Sequence, residues 1–218
     1  MLSLLMLARL LDYPDEALWQ ARGELEAALP QCREMTAAQQ KRLQAFIAHY
    51  WEAPLASRQS DYIAQFDHTR RCALYLCEHQ LAESKNRGQA MVNILSHYRQ
   101  AALEPAPREL PDYLPMVLEF AYLRSQQQPE EGRRILTQIA EVAEILYRRT
   151  HDGMYGVLFQ LLLQLAGRET DGLVPEADGT PTAAIDAEWD RAHAPARVEL
   201  PDIPQGRPAP VHYLDLER

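Results

Sequence analysis

The chain has 218 residues, 31 acidic and 22 basic side chains, a formal net charge of −9 and a hydrophobic content of 47%. This composition supports a sizeable core and excludes wholesale disorder. An acidic chain without a basic stripe is a poor match for nucleic acid or an anionic membrane surface, so a basic partner is expected. Helix formers dominate, and the alternation typical of a β-sandwich is missing.

The helices can be predicted from apolar spacing and from the prolines that interrupt it, and no strand is predicted. Thr36 with Gln39 forms a capping box, Ser84 and Asp112 are predicted N-caps, and Gly167 should follow the last helix. The fold class is therefore all-α, a single globular domain of about eight or nine helices over residues 1–168. In chain order, the predicted helices cover about 2–11, 14–29, 36–50, 56–66, 69–82, 85–102, 112–124, 129–149 and 154–165.

Residues 169–218 have a different character from the rest of the chain. They contain seven of the 15 prolines and carry a net charge of −7. We expect an acidic, Pro-rich tail that is largely disordered. Within it, the segment 211–216 is apolar enough to dock on another surface.

The cysteines and the N-terminal stretch indicate the cellular location. Cys32, Cys72 and Cys77 are odd in number and form no CxxC pair, which favours a reducing compartment. The apolar stretch 1–11 has no basic start and is too short to span a bilayer. We therefore predict a cytoplasmic protein without stable membrane association.

Motifs of catalysis and of metal binding are missing. The sequence has no GxxxxGK[ST], GxGxxG, HExxH or GxSxG pattern. The seven histidines lack the i, i+4 spacing of helical metal ligands. Cys72 and Cys77 lie about 140° apart around a helix, so they cannot share one metal ion. No catalytic residue, no metal and no cofactor is therefore predicted.

Polar residues are dense in two stretches, 66–91 and 109–119. Each member also has an ordinary structural explanation. Gly88 can serve close packing, Asp112 can be only an N-cap, and Arg87 can be only a solvated charge. The residues alone indicate a helical protein with an acidic loop–helix junction and no more specific function.

These two stretches resemble the NarJ family, the assembly chaperones of respiratory nitrate reductase, within the wider TorD/DmsD/NarJ group. The resemblance covers most of residues 1–167, including an LLDYP opening. The matching blocks read LLDYP at 10–14, FDHTR at 66–70, LYLCEH at 74–79, RGQAMV at 87–92 and ELPDYLP at 109–115.

The resemblance implies a cytoplasmic, non-enzymatic, TorD-like helical chaperone. Its partner would be the apo catalytic (α) subunit of a membrane-bound, molybdenum-dependent nitrate reductase. Such a chaperone binds the N-terminal leader of that subunit until the molybdenum cofactor and an iron–sulfur cluster are inserted. It delays membrane docking and is not part of the final enzyme. Molybdenum-cofactor biosynthesis proteins are further candidate partners.

The resemblance also implies a client-binding site. A leader peptide is a basic amphipathic helix, and its natural receptor is an apolar groove with acids on the rim. Glu109 and Asp112 are the implied rim acids, and Arg87 and Gln89 are expected to lie close and to organise the loop. The full set of site residues is Glu109, Asp112, Tyr113, Leu114, Glu119, Arg87, Gln89, Phe66, Asp67, Glu78 and His79.

Three alternatives remain open at this point. The client could be another molybdoenzyme of the same superfamily, although the ELPDYLP block favours nitrate reductase. The protein could be a helical enzyme or nucleotide-binding protein that acts on the cofactor, but it lacks a visible phosphate cradle. It could also be a permanent subunit, in which case a 25-kDa band would accompany the purified mature enzyme.

Overall fold

A computed structural model describes residues 1–68, 70–80, 84–106 and 109–176, with only the backbone for 80 and 84–86. Over these ranges the chain forms ten α-helices, and its only β-type pairing is an isolated antiparallel bridge between Tyr75 and Tyr113. The helices are α1 (Leu2–Leu11), α2 (Glu16–Gln20), α3 (Arg22–Ala28), α4 (Ala37–Tyr50), α5 (Leu55–Tyr62), α6 (Leu76–Gln80), α7 (Ser84–Gln100), α8 (Leu114–Gln127), α9 (Pro129–Thr150) and α10 (Gly156–Leu165).

The prediction of an all-α domain is confirmed, with ten helices in the described ranges in place of eight or nine. The additional helix arises because the predicted helix 14–29 is broken at Ala21, close to Gly23, where helix propensity is low. The capping box of Thr36 and Gln39 is present in full. Gly167 follows α10 with a φ of 75°, the left-handed conformation that glycine adopts at no steric cost.

The predicted helix 69–82 is wrong over its middle. A short 3₁₀ turn at Arg70–Cys72 is followed by residues 73–75, which lie beside the segment before α8, and then by α6. The backbone N–H of Leu114 donates to the carbonyl of Leu74 at 2.7 Å, and the N–H of Leu76 donates to the carbonyl of Asp112 at 3.0 Å. These distant partners satisfy the backbone better than a continued helix would, so tertiary pairing overrides local propensity.

Two predicted helix starts also differ from the structure. Helix α7 begins at Ser84 itself. The N-cap of α8 is Tyr113, and no side chain caps this helix. Asp112 is not the cap because its carboxylate is turned away to accept the backbone N–H of Cys77 at 2.9 Å. Pro115 falls in the first turn of α8, where its missing N–H costs no intrahelical bond.

The predicted helix 56–66 ends early in a wider turn. α5 stops at Tyr62, and residues Ile63–Asp67 continue as a π-helical turn. The turn places Phe66 in the core, 3% exposed, and leaves the neighbouring Asp67 exposed. Such turns are uncommon and often accompany functional sites.

The core lies where α1, α8, α9 and α10 pack together, with α4 against α10. α8 and α9 approach closely at Gly132, where a side-chain Cβ would lie 2.5 Å from the Cβ of Ser125 and 2.9 Å from the carbonyl oxygen of Ala121. Only glycine fits at this crossing. The three cysteines are all free and buried, as expected for small apolar side chains.

Residues after α10 return to the helical domain before the described chain ends. Thr170 is buried, and Leu173 packs against the core. The carboxylate of Glu176 accepts a hydrogen bond from Arg149 Nε at 2.8 Å. The disordered tail from residue 169 stays a prediction. Residues 177–218 of this tail lie outside the described residues.

A membrane-spanning helix needs about 20 consecutive, mostly apolar residues. Among the described helices, none meets this requirement of length and apolar content.

Candidate functional site

A buried network of hydroxyl groups joins three distant parts of the chain. The Tyr113 hydroxyl donates to Asp12 Oδ1 at 2.9 Å and lies 2.8 Å from the Tyr62 hydroxyl. Tyr62 in turn donates to the carbonyl of Leu11 at 3.3 Å. The network fixes the end of α1, the end of α5 and the start of α8 against each other.

Tyrosines and carboxylates surround this network on the outside. The ring of Tyr13, 42% exposed, packs edge-on against Tyr62 with centroids 5.5 Å apart. The Tyr75 ring lies 5.5 Å from that of Tyr113, and its hydroxyl donates to Glu109 Oε1 at 3.0 Å. Leu110, beside Glu109, is 45% exposed. Asp67 is close enough to Tyr75 for its charge to raise the pKa of the Tyr75 hydroxyl. We call this the acid–tyrosine surface, formed by Asp12, Tyr13, Asp67, Tyr75, Glu109, Leu110 and Tyr113.

The carboxylates of the acid–tyrosine surface are incompletely solvated. Burial raises the pKa of Asp12 and also that of Asp67. Burial also raises the pKa of the Tyr75 and Tyr113 hydroxyls, so both stay protonated and donate to the carboxylates. A cationic group placed against this surface would stabilise the charged carboxylates.

Three of the predicted site residues support the surface from beneath. Asp112 is fully buried and does not lie on a rim; its second carboxylate oxygen finds no hydrogen-bond partner among the described residues. Leu114 is fully buried, and Phe66 lies in an aromatic cluster with Tyr155 at 4.8 Å. These residues hold the loop–helix junction in place and offer nothing to a ligand.

Arg87, Glu78 and Gln89 are engaged elsewhere, and Glu119 makes no hydrogen bond to the surface among the described contacts. Arg87 pairs with Glu78 at 2.6 Å, joining α7 to α6, and Gln89 is exposed and donates to Asn93 on its own helix. Neither Arg87 nor Gln89 bonds to the 103–111 loop through its described contacts. Glu119 is half-buried on α8, and its Oε1 has no hydrogen-bond partner among the described residues. Burial raises the pKa of Glu119, and the charge of Asp12 raises it further. Of the predicted set, the structure brings together Glu109, Tyr113 and Asp67.

His79 is held as a neutral ring on another side of α6. Its Nε2 lies 2.7 Å from the carbonyl of Ala73, and its Nδ1 lies 3.3 Å from Arg149 Nη1. Burial lowers the pKa of His79, and the adjacent guanidinium lowers it further. The same Arg149 donates to Glu176 and holds the pKa of that carboxyl below its usual range.

Acidification should therefore destabilise the wild type more than a His79→Gln variant. A folded-state pKa below 6.5 means that the unfolded chain binds the proton first, so stability is lost as the pH falls below 6.5. The added loss is up to about 1.4 kcal/mol for each pH unit below that value. Thermal melts at pH 7.5 and 5.5 measure it.

The control for this pH effect is His49→Gln, whose ring is exposed and pairs with Glu52. This variant should lose stability on acidification like the wild type. If His79→Gln and the wild type lose equal stability between the two pH values, the buried neutral state of His79 is refuted.

Sequence reasoning missed Asp12, Tyr13, Tyr62 and Tyr75 as members of the site. Asp12 and Tyr13 belong to the LLDYP opening, and Tyr75 belongs to the LYLCEH block. The signal that could have found them is the occurrence of a Tyr beside or within each acidic block. Tyr62 carries no such signal because it lies outside these blocks.

A separate cavity of about 320 Å³, with apolar and polar lining, lies between α7, α8 and α9. Leu76, Ile94, Phe120 and Ile135 contribute apolar lining. Tyr98 also lines the cavity, and its hydroxyl donates to the carbonyl of Pro111. The cavity falls within the size range of pockets that accept anchoring groups, about 300–1,000 Å³.

The described residues contain no group of three or more His, Cys, Asp or Glu side chains able to hold a metal ion. The prediction that the protein carries no metal stays a prediction.

The described residues form an all-helical protein with an acidic aromatic surface and a separate cavity of mixed lining. The family described as nitrate reductase delta subunit matches residues 17–149. The chain is 35% identical over 198 residues to the nitrate reductase molybdenum cofactor assembly chaperone NarJ of Escherichia coli K12, covering 87% of this chain and 83% of that protein.

Two further relatives carry similar names. The probable assembly chaperone NarW of E. coli K12 is 35% identical over 83% of this chain and 78% of its own length. The probable assembly chaperone NarJ of Bacillus subtilis strain 168 is 30% identical over 79% of this chain and 91% of its own length. The chain belongs to the NarJ family of nitrate reductase molybdenum cofactor assembly chaperones, a family of chaperones and not of enzymes.

Proposed function

We propose that this chaperone binds the N-terminal leader of the apo catalytic subunit of nitrate reductase, and that the leader docks on the acid–tyrosine surface. The observation that carries the proposal is the combination of exposed apolar groups with partly desolvated carboxylates on one face. Tyr13 and Leu110 are exposed, and Asp12, Asp67 and Glu109 lie beside them or beside Tyr75.

A basic amphipathic helix matches each part of this surface. Its apolar face can pack on Tyr13 and Leu110, and its Lys or Arg side chains can pair with Asp67 and Glu109. A guanidinium can also stack on the Tyr75 ring, a contact worth about 0.5–1 kcal/mol at exposed sites. Such a peptide pays about 2–5 kcal/mol to become ordered, which favours a reversible complex.

Reversible binding suits the order of events that we propose. The chaperone acts in the cytoplasm and keeps the catalytic subunit from docking at the membrane while the molybdenum cofactor and an iron–sulfur cluster are inserted. It contacts molybdenum-cofactor biosynthesis proteins during this step. It then dissociates and is not part of the mature enzyme.

Calorimetric titration of a synthetic N-terminal peptide of the catalytic subunit tests the site. Asp67→Lys with Glu109→Lys should weaken binding at least about tenfold through like-charge repulsion. Asp67 is exposed and Glu109 is half-buried outside the core, so the variant should keep its helical circular dichroism. Wild-type binding should also weaken with added salt, because surface charges are screened over about 8–10 Å.

The matched control is Glu24→Lys with Glu141→Lys, two exposed acids on α3 and α9. An equal loss of affinity in this control would show a general charge effect and no site at the acid–tyrosine surface. Unchanged affinity in the folded Asp67/Glu109 variant would remove the proposed site. Tighter binding of a leader from a different molybdoenzyme would transfer the proposal to that client.

A further inference from the structure

The cavity between α7, α8 and α9 has the opposite electrostatic character to the acid–tyrosine surface. Arg124 and Arg134 stand at its edge and share the single carboxylate of Glu131, at 3.9 and 3.0 Å. Glu131 is the only acid among the described residues that line the cavity, and His97 adds a further nitrogen base. One carboxylate between two guanidiniums leaves net positive charge at the edge.

The lining of the cavity therefore calls for an apolar segment that carries acids. A basic leader helix does not match it, because its cations would face Arg124 and Arg134. Open apolar lining of this kind commonly marks a surface that another segment or protein covers.

A segment with this chemistry occurs in the chain itself. Residues 211–217 read VHYLDLE, with apolar Val211, Tyr213, Leu214 and Leu216 interleaved with two acids. No basic residue lies within the segment apart from its histidine.

The segment can reach the cavity from the point where the described chain ends. Glu176 is held at the C-terminal end of α9 by Arg149, and its backbone N–H donates to the carbonyl of Arg148. The cavity is lined by residues of α9 up to Ile139, and all 22 residues of that helix span only about 33 Å. The 34 residues from 177 to 210 extend up to on the order of 100 Å.

We propose that residues 211–217 dock in the α7–α8–α9 cavity of the same molecule. Tyr213 and the leucines enter the apolar space, and Asp215 and Glu217 pair with Arg124 and Arg134. The proposal does not depend on where the leader binds.

Paramagnetic broadening of methyl signals in the full chain tests this docking. A nitroxide is attached to the cysteine of the variant Arg218→Cys, next to the segment. The native thiols react slowly with the label because they are buried, and burial raises the pKa of Cys32 and Cys77 to about 12. The methyl signals of Ile94 and Ile135 should lose most of their intensity. Those of Ile47 and Ile63, in other parts of the fold, should not.

Two variants test the contacts on each side of the docked segment. The variant Tyr213→Ser with Leu214→Ser and Leu216→Ser removes the apolar side chains of the segment and should restore the lost intensity. Arg124→Glu with Arg134→Glu should restore it as well, whereas the control Arg22→Glu with Arg133→Glu, two exposed arginines, should not.

The proposal is overturned if Ile94 and Ile135 keep full intensity in the labelled wild-type background. It is also overturned if the triple serine variant leaves the broadening unchanged. Molecules with the nitroxide can also be mixed with molecules that lack it. If the methyl signals are broadened only by the nitroxide of another molecule, the cavity belongs to a second copy of the chain, and docking within one molecule is refuted.

Discussion

Phe66→Ala should lower the free energy of unfolding by about 3–5 kcal/mol, the usual loss for removing a buried aromatic ring. The ring is 3% exposed and packs against Tyr62 and Tyr155, with centroids 5.0 and 4.8 Å away. Phe159 completes the cavity wall that the substitution would leave empty. Thermal melting followed by circular dichroism should show a fall in Tm on the order of 10 °C.

The adjacent residue provides the control for this substitution. Asp67→Ala removes an exposed side chain of the same π turn, so it should change Tm little and should weaken leader binding. A Phe66→Ala protein with wild-type Tm and lost leader affinity would instead make Phe66 a contact of the client, as the sequence resemblance implied.

Gly132→Ala should lower the free energy of unfolding by about 2–3 kcal/mol through overpacking. The added Cβ would lie 2.5 Å from Ser125 Cβ and 2.9 Å from the backbone oxygen of Ala121, so α8 and α9 must separate. The backbone atom cannot move aside like a flexible side chain. Urea unfolding should give a lower midpoint with an unchanged slope.

Gly23→Ala is the matched control, because a Cβ at this position in α3 meets nothing within 4 Å. Alanine favours a helix over glycine by about 1 kcal/mol, so this variant should be as stable as the wild type or more stable. Equal effects of the two substitutions would mean that helix propensity, and not the crossing of α8 and α9, governs both positions.

Local patterns predicted most of the fold because most of its helices have apolar faces and clear end signals. α9 and α10 match their predicted spacing, and Thr36 caps α4 as the sequence indicates. The segment around Leu74 was predicted wrongly as helix because its partner at Leu114 is 40 positions away and leaves no trace in the local sequence.

The site could be predicted only in part. The blocks that carry the family resemblance mix surface residues with supporting ones, and the sequence does not separate them. Phe66 and Asp67 are neighbours with opposite burial because of a π turn, and Asp112 is buried because Cys77 offers it a backbone N–H. The bond from the Tyr113 hydroxyl to Asp12 joins two distant parts of the chain, a contact that spacing along the chain cannot show.

The acid–tyrosine surface is assembled from contacts of high sequence separation. The bond from Tyr113 to Asp12 spans 101 positions, the pair Tyr62 and Tyr113 spans 51, and the bond from Tyr75 to Glu109 spans 34. Closing such loops carries an entropic cost, and contacts of this range generally form after local helices. A copy of the chaperone with only its helices formed therefore lacks the surface, so on the proposed docking site only a fully folded chaperone can engage the client.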